Sequence, residues 1–333
     1  MAEAAPPHPR EVFDLEGHAE AEAGFEAARA RGRLHHAWLL AGPEGVGKAT
    51  FAYRAARRLL GAPAVEGAYP LTSDPDHPVS RQVTARSHPD LLVIERLGED
   101  GKMRKSIPVD EARKLSDFFS KSPASAPHRV AIIDPADDLN VNAANAVLKT
   151  LEEPPPRGVI FLVAHAPGRL LPTIRSRCRR LVFRPMGLEA TAAFLRARTS
   201  LNVEDSLRLA RMSGEAPGRA LTLAAGPAIA LDDAARDILA RLPDLDEGAA
   251  LGLADRFRGG EGGANFALFV ERLSDRLHRL VAERAAAGIG GLDPWAQAWE
   301  RLNALPREVD GLNLDRADAL FSALRDLRFA ARA

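Results

Sequence analysis

The chain has 333 residues, of which 46% are hydrophobic, and its 45 basic and 45 acidic side chains cancel at pH 7. This length allows about two or three domains, and the charge balance excludes the strongly basic character of a dedicated DNA-binding module. The sequence has no apolar run near the roughly 20 residues that a membrane span needs, so we expect a cytoplasmic protein without membrane contact. The single cysteine, Cys178, excludes an internal disulfide and a multi-cysteine zinc site.

The N-terminal part of the chain predicts an arm, a helix and a strand. Residues 1–17 are rich in proline and polar side chains, which predicts a flexible arm or an extended segment. Residues 19–31 have the alanine spacing of a helix. A short apolar strand follows at 37–41. His35 and His36 precede it, but with no third ligand nearby a simple loop is a better interpretation than a metal site.

A glycine-spaced loop joins this strand to a helix predicted over 48–60. Gly45 and Gly47 permit a tight backbone, the helix N-terminus favours anions, and Lys48 supplies an ammonium, which together predict a phosphate-binding loop. The residues that would contact a nucleotide here are Gly42, Pro43, Glu44, Gly45, Val46, Gly47, Lys48, Ala49 and Thr50. The alternative is a glycine-rich turn that binds no ligand.

The residue after the lysine departs from the usual loop pattern. That pattern places a hydroxyl there to ligate Mg²⁺, and Ala49 has none. Thr50 carries a hydroxyl one residue later, which is about 100° further around a helix. We therefore expect weak binding of ATP or ADP, with Mg²⁺ present only together with the nucleotide.

The next stretch, 61–90, is polar and proline-rich, and it predicts an irregular excursion without helical or strand periodicity. His77 and His88 lie within it, at a spacing that matches no compact metal site. Further apolar strands are predicted at 91–95, 129–134, 159–164 and 181–183. Because these strands alternate with helical segments, the pattern predicts a parallel sheet covered by helices.

The strand 129–134 ends in an acidic residue that has the place of a Walker B carboxylate. Asp134 would lie near the Mg²⁺ of a bound nucleotide, at the carboxyl edge of the sheet. In an active P-loop ATPase with such a strand, the residue after the aspartate is usually a glutamate that polarises the attacking water. Pro135 has neither an acid nor an N–H group, so we expect no ATP hydrolysis by this chain itself.

Strand signals vanish from Gly187 onward. Helical spacing predicts a small helical domain over 187–228 and a second helical block over 229–333. The long run 266–287 has its leucines in register on one helix face, and a core-facing stripe explains that spacing without a cofactor.

Three sequence runs, in combination with the loop, closely resemble the bacterial clamp-loader AAA+ family over residues 18–225. These runs are LHHAWLL at 34–40, NAANAVLKTLEEPP at 142–155 and LPTIRSRC at 171–178. The resemblance implies an α/β fold with a P-loop αβα domain over 18–186, an all-α lid over 187–228 and an all-α C-terminal collar over 229–333. The collar would hold a hetero-pentameric ring together with the motor and delta subunits.

The resemblance also implies roles for two arginines. Arg177 of the Ser-Arg-Cys motif would be an arginine finger that projects into the ATP site of a neighbouring motor subunit, where a guanidinium stabilises charge on the γ-phosphoryl. Arg219 matches the position of a sensor-2 arginine in the lid. Through such a ring the chain would act on the sliding clamp and primer-template DNA as part of the replicative polymerase.

The departures from the motor subunits of this family indicate a non-motor subunit. Motor subunits keep a hydroxyl after the lysine, an Asp-Glu pair and a four-cysteine zinc module, whereas this chain has Ala49, Pro135 and no cysteine in 61–90. Zinc is therefore not expected. The alternative is a self-sufficient AAA+ ATPase of the motor type, with Thr50 and Asp137 replacing the missing groups. A small-molecule P-loop kinase is disfavoured because such kinases lack the Ser-Arg-Cys motif and a helical collar.

Overall fold

The structure is a computed structural model that describes residues 5–97, 104–258 and 262–332. Residues 1–4 of the predicted arm lie outside this range. The described residues form two compact units. The sheet unit consists of 5–198 and 213–222, and the helical unit consists of 199–212 and 223–332.

The strands and helices are numbered in chain order. The strands are Ala37–Ala41 (β1), Leu91–Glu95 (β2), Arg129–Asp134 (β3), Gly158–Ala164 (β4) and Arg179–Val182 (β5). The first seven helices are Ala19–Ala30 (α1), Lys48–Leu59 (α2), Pro78–Thr84 (α3), Val109–Phe119 (α4), Val141–Glu152 (α5), Pro172–Ser176 (α6) and Leu188–Arg196 (α7). The others are Val203–Met212 (α8), Pro217–Ala224 (α9), Ala228–Arg241 (α10), Glu247–Asp255 (α11), Gly262–Ala286 (α12), Asp293–Leu312 (α13) and Arg316–Arg332 (α14).

All five strands are parallel, in the order β2-β3-β4-β1-β5. This arrangement confirms the predicted parallel sheet. Side chains alternate across the strands: Trp38 and Leu40 of β1 pack in the core that contains residues of α1 and α2. Leu39 packs in the opposite core, which contains residues of α4, α5 and α6. Burial on both faces explains why the central strands are continuously apolar.

Two predictions for the sheet unit are wrong. The excursion 61–90 contains α3, which begins with Pro78 at its first turn and His77 as its N-cap. Seven residues are too few to display a helical period, although proline after a capping residue is a recognised start signal. The segment 5–17 is also packed rather than free: the Arg10 carbonyl accepts hydrogen bonds from the Arg57 guanidinium and the Thr84 hydroxyl.

The helical unit is all-α, as predicted, and it has its own apolar core. A buried carboxylate connects three of its helices. Asp232 of α10 accepts hydrogen bonds from Arg208 of α8 and Arg276 of α12, each with an N–O distance of 2.6 Å. Burial alone would raise the pKa of Asp232, but the bonds from Arg276 and Arg208 lower it below its ordinary value. No helix among the described residues combines the length and apolar character needed to cross a membrane.

A buried ion pair joins the first two helices of the sheet unit. Glu22 of α1 accepts two hydrogen bonds from Arg54 of α2, at 2.7 and 3.0 Å, and both side chains are only 1% exposed. Arg54 also donates to the Thr72 hydroxyl at 3.1 Å. Removing one partner of such a pair leaves an uncompensated buried charge.

We expect Glu22→Ala to destabilise the full chain by about 3–5 kcal/mol, because Arg54 would be left buried without a counter-charge. Glu20→Ala is the matched control, since Glu20 is exposed on the same helix and should contribute less than about 1 kcal/mol. Urea unfolding followed by circular dichroism measures both. Equal losses for the two variants would contradict the prediction.

Candidate functional site

The glycine-spaced loop lies between the C-terminal end of β1 and the start of α2. Gly45 and Gly47 have φ values of +78° and +102°, a region that residues with a side chain rarely adopt. The first N–H groups of α2 have no intrahelical partner, which is general for a helix start. This backbone has the geometry that a phosphate-binding loop requires, and the binding of a nucleotide stays a prediction.

Lys48 is the first residue of α2 and is buried. Its ammonium donates hydrogen bonds to the carbonyl oxygens of Gly42 and Pro43, at 2.6 and 2.5 Å. Burial lowers the pKa of Lys48 to about 8, while the nearby carboxylates of Asp134 and Asp137 favour its charged form. Lys48 is thus still mainly charged at pH 7, at the loop where the outer phosphates of a nucleotide would bind.

Asp134 ends β3 beside Glu95, its register partner on β2. Burial and the negative charge of Glu95 together raise the pKa of Asp134 to about 7, although Lys48 acts in the opposite direction. The raised pKa shows that Lys48 does not fully offset burial and the charge of Glu95, and carboxylate oxygens are ligands that Mg²⁺ prefers. These residues fit a Mg²⁺ ion that arrives with a nucleotide.

Two other polar residues near the loop are the substitutes that the motor-type alternative requires. Thr50 is buried, as Lys48 is. The carboxylate of Asp137 accepts hydrogen bonds from the backbone N–H groups of His165 and Ala166, at 2.5 and 3.1 Å. Asp137 therefore holds the chain just after β4, and each of its oxygens accepts one backbone hydrogen bond.

The start of α9 contacts the loop directly. The N–H group of Gly218 donates to the Gly45 carbonyl at 2.8 Å, and a Cβ atom on Gly45 would lie 2.3 Å from the backbone nitrogen of Arg219. The segment 213–222, which the sequence assigned to the lid, thus packs on the loop within the sheet unit. This brings Arg219 and the loop residues together.

Two residues that the sequence did not single out contact the loop from the N-terminal segment. Leu15 is buried, and its Cδ1 would lie 2.5 Å from a Cβ atom on Gly47. The Nε2 atom of His18 donates to the Val46 carbonyl at 2.8 Å. Burial lowers the pKa of His18. No local pattern predicts contacts between residues this far apart in the sequence.

We expect Gly45→Ala to destabilise the sheet unit, because the added Cβ atom meets the backbone of Arg219 and φ is positive there. Overpacking and the strained backbone cost about 1–3 kcal/mol each. Gly24→Ala in α1 is the control, because a Cβ atom there meets nothing within 4 Å and should be neutral or stabilising by up to about 1 kcal/mol. Thermal unfolding of the full chain measures the two shifts, and no decrease for Gly45→Ala would contradict the packing of α9 on the loop.

Arg177 follows α6 and precedes β5 by two residues. Strand β5 runs parallel to β1, with Arg179 opposite Trp38 near the start of β1, whereas the loop begins after the last residue of β1. The five residues of β1 span about 16 Å at roughly 3.3 Å per residue. Arg177 and the loop therefore lie at opposite edges of the same sheet.

The guanidinium of Arg177 is bound within its own chain. Its Nη1 donates to the Thr173 carbonyl at 3.1 Å, and its Nη2 pairs with Glu152 at 2.9 Å. The side chain is still 37% exposed. The next residue, Cys178, is partly buried against the core that contains residues of α5 and α6, and desolvation raises its thiol pKa to about 12.

The histidines considered as ligands have structural contacts instead. His35 and His36 stack at a ring distance of 4.4 Å, His77 accepts a hydrogen bond from the N–H group of Val79, and His88 accepts one from that of Asp90. In the part of the chain that the structure describes, no group of three or more His, Cys, Asp or Glu residues could hold a metal ion.

Comparison with known proteins decides the family. The family model described as DNA polymerase III, delta subunit, matches residues 17–187, just over half of the chain. The chain belongs to this family. The match covers the loop, the end of β3 and the Ser-Arg-Cys motif, and it confirms the family resemblance drawn from the sequence.

Curated members and relatives of the delta-subunit family are similar over part of their length. The chain is 37% identical to the DNA polymerase III subunit delta′ of Pseudomonas aeruginosa over 189 residues, 56% of this chain and 55% of the relative. It is 33% identical to that of Bacillus subtilis over 56% of this chain and 57% of the relative. A DNA polymerase III subunit gamma/tau of Mycobacterium bovis is 27% identical over 97% of this chain and 58% of the relative. The chain thus spans little more than half the length of these relatives.

Proposed function

We propose that this chain is the non-motor subunit of a bacterial clamp loader, and that Arg177 acts in the nucleotide site of a neighbouring subunit. The observation that carries the proposal is the register of β1 and β5, which separates Arg177 from the chain's own loop by the length of a strand. At that edge, Arg177 would act on a phosphate of another chain instead of one in its own loop. The neighbours would be the motor and delta subunits of a hetero-pentameric ring that loads the sliding clamp on primer-template DNA.

The loop supports binding of a nucleotide without hydrolysis. Lys48 and the start of α2 provide charge and N–H donors for phosphates, and Asp134 fits the accompanying Mg²⁺. Ala49 offers no hydroxyl to the metal, and Pro135 offers no acid to polarise water. We propose ATP or ADP as the ligand and no zinc.

The motor-type ATPase is the second candidate. The observation in its favour is the 27% identity to a DNA polymerase III subunit gamma/tau over 97% of this chain. It requires Thr50 and Asp137 to replace the missing groups. Both oxygens of Asp137 already accept hydrogen bonds from backbone N–H groups. The Thr50 hydroxyl comes one residue later than the pattern requires, about 100° further around the helix. These two features favour the non-motor proposal.

We expect the purified chain to bind ATP or ADP weakly and to hydrolyse neither. Titration calorimetry should show binding that Lys48→Ala weakens by about tenfold or more, since a charged hydrogen bond contributes about 1.5–3 kcal/mol. The same Lys48→Ala variant provides the control in a phosphate-release assay. Turnover near 1 s⁻¹, the lower range of ordinary enzymes, that disappears in Lys48→Ala would contradict the proposal and support the motor-type candidate.

We expect Arg177→Ala to lower the ATP turnover of the reconstituted loader while leaving folding and nucleotide binding of the free chain nearly intact. The loss should be smaller than the roughly 10³–10⁵-fold of a finger at a single site, because the other sites of the ring keep their own fingers. Lys at this position should rescue poorly, since an ammonium lacks the planar fork that binds phosphate oxygens in pairs.

The matched control for this experiment is Arg175→Ala, which removes an exposed arginine of the same helix. It should leave clamp-stimulated turnover unchanged. An intact ring containing Arg177→Ala that turns over ATP at the normal rate would refute the trans-acting role.

A further inference from the structure

The ion pair between Arg177 and Glu152 occupies the same guanidinium that the proposed function assigns to a neighbour's phosphate. Glu152 is the last residue of α5, and its Oε1 lies 2.9 Å from Nη2 of Arg177. The Thr173 carbonyl accepts from Nη1 at 3.1 Å. Both terminal nitrogens therefore have partners on the chain itself, on two different helices.

The two contacts differ in how they respond to an approaching phosphate. The Thr173 carbonyl belongs to α6, four residues before Arg177, so this bond can persist while the guanidinium turns within its own helical turn. Glu152 is 52% exposed and carries a negative charge, so it competes with a phosphate for the same cation. A triphosphate carries more negative charge than one carboxylate, and like a carboxylate it can accept two N–H groups of one guanidinium.

We propose that Glu152 is a positioning residue for Arg177: it holds the guanidinium on this chain until a triphosphate on the neighbouring subunit replaces the carboxylate. This inference rests on the proposed function. Exposed ion pairs are weak, so the bias that Glu152 provides is small and readily reversed. Arg177 then engages when the ring brings a triphosphate into reach, and it returns to Glu152 when that charge leaves.

The test is ATP turnover of the reconstituted loader, measured without and with clamp and primer-template DNA. Glu152→Gln should raise the unstimulated rate two- to fivefold and leave the stimulated rate unchanged, so the stimulation ratio falls by the same factor. This factor equals about 0.4–1 kcal/mol at 1.36 kcal/mol per factor of ten. Glu153→Gln is the matched control, because Glu153 is the adjacent exposed glutamate and should keep the wild-type ratio.

Two further measurements separate a positioning role from a structural one. The difference between Glu152→Gln and wild type should shrink as salt rises from 0.1 to 1 M, where the screening length falls from about 10 to about 3 Å. Glu152→Asp keeps the charge on a shorter side chain and should give an intermediate ratio. Thermal unfolding of each free variant checks that the chain folds normally.

The outcomes distinguish this inference from the proposed function. If Arg177→Ala lowers turnover but Glu152→Gln has the same stimulation ratio as Glu153→Gln, Glu152 does not position Arg177 while the finger role stands. Lower turnover in Glu152→Gln, both with and without clamp, would show that Glu152 aligns Arg177 for the reaction instead of holding it on its own chain. That result would also overturn the inference. If Arg177→Ala has no effect, the proposed function itself fails.

Discussion

The parallel register of β1 is the constraint on which the site depends. Hydrogen bonds to β4 and β5 fix both ends of this strand, so the loop after Ala41 and the motif before β5 are held at opposite edges of one sheet. A parallel sheet buried on both faces is rigid, because its side chains pack as densely as an organic crystal. The distance between the loop and Arg177 is therefore a property of the fold rather than of flexible side chains.

The charged groups near the loop suit the proposed binding of a nucleotide better than its hydrolysis. Lys48 is partly deprived of water, and Asp134 has a raised pKa because burial and Glu95 both oppose its charge. The phosphates of a nucleotide would provide negative charge near Lys48, and its Mg²⁺ would provide positive charge near Asp134. Hydrolysis requires in addition a group that orients water, and the residue after Asp134 is a proline that has no such group.

The sequence predicted the sheet because its signals are local. Apolar runs, proline and glycine stops and the glycine-spaced loop each occupy fewer than about 15 residues, and the corresponding strands and helices are present. Contacts with Leu15, His18 and the start of α9 were not predictable, since they join segments far apart along the chain and leave no periodic trace. The role of Arg177 came from a family motif, whereas its place at the opposite edge required the register of β5.

The contacts around the loop give a structural reason why a subunit that does not hydrolyse ATP would retain the loop. Gly45 is held by Gly218, and Val46 by His18, so the loop also joins the N-terminal segment and the segment 213–222 to the sheet. Loss of the glycines would therefore cost stability even in a chain that never turns over ATP. If the loop binds a nucleotide without hydrolysing it, as proposed, its contacts would not drive a change in the shape of the sheet. The backbone at Arg177 would then keep a constant position, and only its side chain would move between Glu152 and the neighbour's phosphate.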